Sequence, residues 1–152
     1  IELEFAIRDV NNRDAVVMSC MDENIGFVVK ADTASLKSEQ EEVSCNYRYD
    51  KRTRVSFVVE SKSEYRLMNI YLNGVLSCTK QYTTSDNFQQ NNPVTITIGS
   101  EYCGIDIYTI RSYTTALTFN EVINNYTYDI SDINTKNVSL QLYYNTKKYT
   151  IS

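Results

Sequence analysis

The sequence predicts an all-β protein built from two antiparallel sheets packed face to face. Three observations carry this reading. Apolar and polar residues alternate with a period of two along most of the chain, Val, Ile, Thr and Tyr dominate the alternating runs, and turn-forming residues separate them. Successive side chains of a strand point to opposite faces, so each run offers one face for burial and one for solvent. A sheet cannot bury its apolar face alone, and the number of runs calls for a second sheet laid against the first.

The runs are Ile1 to Ile7, Ala15 to Met21, Ile25 to Ala31, Thr53 to Glu60, Leu67 to Leu72, Val75 to Gln81, Val94 to Ser100 and Ile105 to Tyr113. Asp22 to Asn24, Asp32-Thr33 and Ser61 to Glu64 interrupt them. Asn73-Gly74 lies between two apolar runs and predicts a hairpin, because a type I′ turn requires positive φ at both central residues and these two types tolerate it. The polar stretch Thr83 to Pro93 reads as a surface loop open to a functional role. One segment, near residues 118–125, reads as a helix. Thr118 can cap it, Glu121 follows three residues later as in a capping box, and Leu117, Val122 and Tyr126 supply its apolar side. Val138 to Leu142 and Tyr149 to Ile151, on either side of Asn145-Thr146, read as a last hairpin or the start of a further element. No internal repeat is visible.

A chain of 152 residues fits one core, so a single domain over 1–152 is expected, with 130–152 fitting the pattern least. An apolar fraction of 42% separates it from disordered chains, which lack the burial to offset chain entropy. No run approaches the roughly 20 apolar residues of a membrane span, and the start lacks the pattern of a secretory signal. Opening on Ile1 inside a strand-like run, the chain is expected to be an excerpt of a larger protein. The net charge of −4 argues against nucleic acid, whose phosphates demand clustered positive charge. Arg48 to Arg54 and Lys147-Lys148 read as solvated loops or edge-strand protection. Cys20, Cys45, Cys78 and Cys103 are too far apart for a zinc ribbon or a redox pair. Buried free thiols are expected, with one or two disulfides between strands as the alternative.

The order Arg54-Val-Ser-Phe-Val-Val-Glu60, Asn69-Ile-Tyr-Leu-Asn-Gly-Val-Leu76, Thr95-Ile-Thr-Ile-Gly-Ser100 and Ile105-Asp-Ile-Tyr-Thr-Ile-Arg-Ser-Tyr-Thr-Thr-Ala-Leu117, followed by Thr118-Phe-Asn-Glu121, resembles the laminin G-like, concanavalin A-like jelly roll. In that family one strand turns at Asp-Gly or Asn-Gly and another carries an Ile-Gly pair. A further strand, with Arg, Tyr and Ala-Leu at such spacing, leads into a short helix. The resemblance covers about residues 50 to 126, and the first 50 more loosely. The strand that normally precedes Ile1 to Ile7 has no counterpart here, and a tail strand would fill its place. The resemblance implies a two-sheet antiparallel jelly roll acting in glycan or protein recognition outside the cell, as in surface proteins of gut bacteria and tail or appendage proteins of their phages.

Related folds include glycoside hydrolases, which need two carboxyl groups a few ångströms apart and supply them from an E-x-D-x-x-E strand. That string is absent. Glu2-Leu-Glu4 lacks a third carboxylate, and Glu101 with Asp106 is broken by Gly104. The chain contains no His, which removes the usual triad base and the commonest metal ligand. No glycine-rich phosphate loop occurs. No enzyme activity, cofactor or metal is therefore expected. Calcium is the weakest exclusion, with Asp9, Asp14, Asp22 and Asp106 as candidate ligands that turns explain equally well.

Alternation selects the ligand-facing residues. With Val55, Phe57 and Val59 inward, Arg54, Ser56 and Val58 face out; with Met68, Ile70 and Leu72 inward, Asn69 and Tyr71 face out. Arg54, Ser56, Asn69 and Tyr71 suit a sugar, the ring stacking on its apolar side while amide and guanidinium hydrogen-bond. The expected function is a non-catalytic carbohydrate-binding or adhesion module of an extracellular, cell-surface or virion protein, with a glycan or surface polysaccharide as partner. Its alternative is a structural or assembly domain contacting neighbouring subunits. Asn125-Tyr-Thr127 and Asn137-Val-Ser139 match a glycosylation sequon, a match expected by chance in an Asn-rich chain.

Overall fold

The computed structural model describes residues 1–8, 10–21, 25–48, 51–84, 94–99, 104–113, 115–131, 140–142 and 147–151, with backbone only for 21, 94, 129–131, 140–142 and 147–151. The strands are β1 (Glu2–Arg8), β2 (Val16–Met21), β3 (Ile25–Lys30), β4 (Thr33–Ser38), β5 (Glu41–Asn46), β6 (Thr53–Ser61), β7 (Tyr65–Leu72), β8 (Val75–Thr83), β9 (Val94–Ile98), β10 (Gly104–Arg111), β11 (Leu140–Leu142) and β12 (Lys147–Ile151), with one helix, α1 (Phe119–Ser131). They form two antiparallel sheets, β11-β10-β1-β6-β7-β8 and β12-β9-β2-β3-β4-β5. The expected two-sheet β-sandwich is thus observed.

The core lies between the sheets and follows the period of two. Leu3, Phe5 and Ile7, Val55 and Phe57, Met68 and Ile70, and Ile105 and Ile107 point inward from the first sheet; Met18, Phe27, Val29, Leu36, Ile96 and Ile98 meet them from the second. Phe27 stacks on Phe57 across the gap at 4.9 Å between ring centroids. In β10 the register steps from Thr109 opposite Glu4 to Ile107 opposite Phe5, leaving Tyr108 as an extra residue. This bulge keeps Ile107 inward while presenting Tyr108 beside Arg52, whose guanidinium lies 3.8 Å from the ring centroid.

Asn73 and Gly74 adopt φ of +50° and +79° and join β7 to β8 as the hairpin residues, as expected. The Asn73 side chain also accepts from the Arg54 backbone N–H at 2.8 Å, and its own N–H donates to the Arg54 carbonyl. The turn is thereby tied to β6.

Three segments add to or refine the sequence pattern; in the tail it is the hairpin alternative that fails. The segment 33–46, left without structure by the sequence reading, is the hairpin β4–β5. Its inward positions are Ala34, Leu36 and Ser38 on β4 and Glu41, Val43 and Cys45 on β5, so polar residues on the inward face make the alternation faint. The tail strands do not pair with each other. β11 extends the first sheet beside β10 and β12 the second beside β9, so the tail fills an edge of both sheets. Helix α1 runs six residues past the expected end, from Phe119 to Ser131.

Cys45 and Cys78 are joined in a disulfide, so the free-thiol expectation fails for these two; Cys20 is buried, and Cys103 lies outside the described residues. The bond ties β5 to β8, the edge strands of the two sheets on one side of the sandwich. An ion pair between Lys80 and Glu41 at 2.5 Å supports the same closure.

Candidate functional site

The sequence placed Arg54, Ser56, Asn69 and Tyr71 on the outward face of the first sheet, and they occupy that face. Ser56 stands opposite Tyr71 and Glu2, and Asn69 opposite Val58. They do not form an open cleft. Arg54 is 1% exposed, Ser56 0%, Asn69 8% and Tyr71 3%. The alternation argument fixes which side of a sheet a residue takes and is silent on what later chain lies over it. Here the segment Tyr113 to α1 returns across the face. Val122 packs with Val58 and Tyr71, Leu117 joins them, and the Phe119 ring lies 6.4 Å from that of Tyr71. The helix is positioned by its own N-terminus: Glu121 Oε2 accepts from the Thr118 N–H at 2.7 Å, and the Glu121 N–H donates to Thr118 Oγ1. The Thr118 N–H and hydroxyl, both donating to Glu121 Oε2, hold its carboxyl below its ordinary pKa.

Beneath this cover lies a charged network that the sequence reading did not find. Glu2 and Glu4 alternate on β1 and are both buried. Arg54 Nη2 pairs with Glu4 Oε2 at 2.7 Å, and Arg52 holds the other oxygen of Glu4. Arg54 and Arg111 each lie 3.9 Å from Glu2 Oε2. The Tyr113 hydroxyl donates to that same oxygen at 2.7 Å, and the Asn125 amide reaches it at 3.5 Å. Burial, then the bond to Glu2, pushes the Tyr113 pKa up to about 12. Arg52 and Arg54 are therefore network members and not solvated loop charges. Such networks need both signs close in space, and nothing in the spacing of Glu2, Arg54, Arg111 and Asn125 announces that proximity.

A second buried arginine, Arg66 on β7, links the two sheets. Arg66 Nη1 bonds to Glu39 at 2.8 Å and to the Tyr82 hydroxyl at 3.0 Å, and Tyr82 meets Ser38 at 2.7 Å. Glu39 holds this position with φ of +56°, a conformation uncommon outside glycine.

Of the calcium candidates, Asp14 is exposed in a turn, where its N–H donates to Asn12 Oδ1 at 3.0 Å, and Asp106 is buried against Arg8. Asp9, Asp22 and Glu101 lie outside the described residues, as do Asn137 and most of Thr83 to Pro93. Among the described residues no group of three metal-ligating side chains occurs. The Asn125 sequon sits within α1 with its amide turned toward Tyr113, 3.2 Å away, and Glu2.

The outward face of the second sheet differs. Thr97, Ser19, Val28, Ser35 and Ser44 are register neighbours across β9, β2, β3, β4 and β5. All five are at least partly exposed, and no described helix covers them. Ser35 and Ser44 hydrogen-bond at 2.8 Å, and Lys37 lies 3.9 Å from Glu42 beside them, so the surface is polar and locally near neutral. Among the described residues no helix is long and apolar enough to cross a membrane. No model of a known protein family matches the chain, and no curated protein sequence matches it.

Proposed function

We propose that the protein is a non-catalytic carbohydrate-binding or adhesion module of an extracellular, cell-surface or virion protein, and that it meets its ligand on the outward face of the second sheet. The observation that carries this reading is the inequality of the two outer faces: one lies under α1, while the other, covered by no helix among the described residues, is partly exposed and carries four hydroxyls around Val28. Hydroxyl groups both donate and accept, and a face of low net charge suits a neutral polyhydroxyl ligand better than a polyanion. The laminin G-like resemblance points the same way, by analogy of fold. The carboxylates of β1 are in keeping with the non-catalytic part, because both are buried, Glu4 against Arg52 and Arg54 and Glu2 against Tyr113, and neither faces an open cleft. A disulfide between sheets is at home in oxidising surroundings, which supports a place outside the cell.

The experiment is a glycan array with the purified chain, repeated with Ser35→Arg. Binding to neutral glycans that Ser35→Arg abolishes, with stability changed by no more than about 0.5 kcal/mol, is expected; no binding across a broad panel contradicts the reading. A second reading, an assembly domain, is favoured by the apolar residues around the β7–β8 hairpin. Val75, Leu76 and Phe119 are exposed, and Leu76 stands opposite Tyr71, against which Phe119 packs. That reading expects self-association or subunit capture that Leu76→Asp removes, together with no glycan binding.

A further inference from the structure

Helix α1 is lightly held. Among its described side chains only Val122 is fully buried, while Phe119 and Tyr128 leave 51% and 67% of their surface in solvent. The Asn125 amide ties it to the face, at 3.2 Å from Tyr113 and 3.5 Å from Glu2, and Tyr126 lies against Gly74 of the β7–β8 turn. Under the cover two fully buried groups, Glu2 Oε1 and Ser56 Oγ, have no hydrogen-bond partner among the described residues. They belong to register partners on β1 and β6. Burying a carboxylate oxygen and a hydroxyl without partners opposes closure, and lifting the helix returns both to water. The helix carries its own capping box, so its first turn does not need the sheet. The strands beneath, in contrast, are locked by the shared core, the tied hairpin and the disulfide.

We propose that α1 is a releasable cover, which undocks as a unit while both sheets remain folded. Release exposes Glu2, Arg54, Ser56 and Tyr71 as a polar face bearing one aromatic ring. The proposal goes beyond the recognition reading and stands whether or not a glycan binds the other sheet.

Its test is thiol labelling of the full chain carrying Ser56→Cys under native conditions, with the unmodified chain as blank, alongside amide hydrogen exchange of the unmodified chain. The expected result is labelling at least about tenfold faster than global unfolding allows, the behaviour of sub-global opening. Val122→Ala should accelerate labelling further and leave exchange in the centres of β6 and β7 unchanged. Labelling that tracks global unfolding overturns the proposal. If Ser56→Cys does not fold, hydrogen exchange decides: α1 amides that open together, well before those of β6 and β7, support the cover, and α1 amides protected as strongly as those strands overturn it.

Discussion

Gly74 shows how much one residue can be asked to do. Its φ of +79° is a conformation in which a Cβ is disfavoured, and a Cβ built there would approach Tyr126 Cδ1 to 2.9 Å. Gly74→Ala should therefore destabilise the chain by at least about 1–2 kcal/mol in urea unfolding, the ordinary cost of a left-handed residue with the clash added. Tyr113 gives a prediction in pH. Its pKa is raised from 10.0 to about 12 in the folded state by burial and by the adjacent Glu2 carboxylate. The unfolded chain thus loses this proton first as pH rises. The stabilisation is complete below pH 10 and drains away between pH 10 and about 12. The stability advantage of the native chain over Tyr113→Phe should shrink across that window, with the native chain falling more steeply. At this scale the sequence was half legible. Alternation put Arg54, Ser56, Asn69 and Tyr71 on the correct face, since a strand permits only two. It could not show that a segment about fifty residues later would bury them, because that depends on a long-range return of the chain.

Elements with a local cause were the most legible. The Asn73-Gly74 turn and the Thr118–Glu121 box were both readable because the chemistry that specifies each lies within four residues. Thr118→Ala should lower stability by about 1 kcal/mol through loss of the cap, checked by thermal or urea unfolding. Hairpin β4–β5 was not legible, since its inward face includes the polar Ser38 and Glu41 and the small Ala34, which leaves few apolar residues to mark the period. Its attachment to the opposite sheet lies in Cys45–Cys78, and the pairing of four scattered cysteines follows from where strands end up in space. The bond closes a loop with a separation of 33 residues. Replacing both cysteines with Ala is expected to reduce stability by about 3–4 kcal/mol on the loop-entropy account, while the charged edge pair Lys80–Glu41 contributes far less. Comparable unfolding midpoints for the two chains would show that the bond adds no constraint.

For the whole molecule, the consequential feature is the division of labour between the outer faces. Both sheets direct apolar side chains into one interior, and that much follows from composition and period. The outer faces diverge because α1, after β10, packs over the first sheet, while no helix among the described residues lies over the second. A ligand meeting the folded protein encounters Ser19, Ser35, Ser44 and Thr97 before it encounters Arg54 or Ser56, and this ordering is what the proposed function rests on. The most direct measurement is the attenuation of NMR signals by a soluble paramagnetic probe in the unliganded protein. Strong attenuation is expected at Ser19, Ser35, Ser44 and Thr97 and little at Arg54, Ser56 and Asn69. Equal attenuation on both faces, or the reverse order, would contradict that ordering.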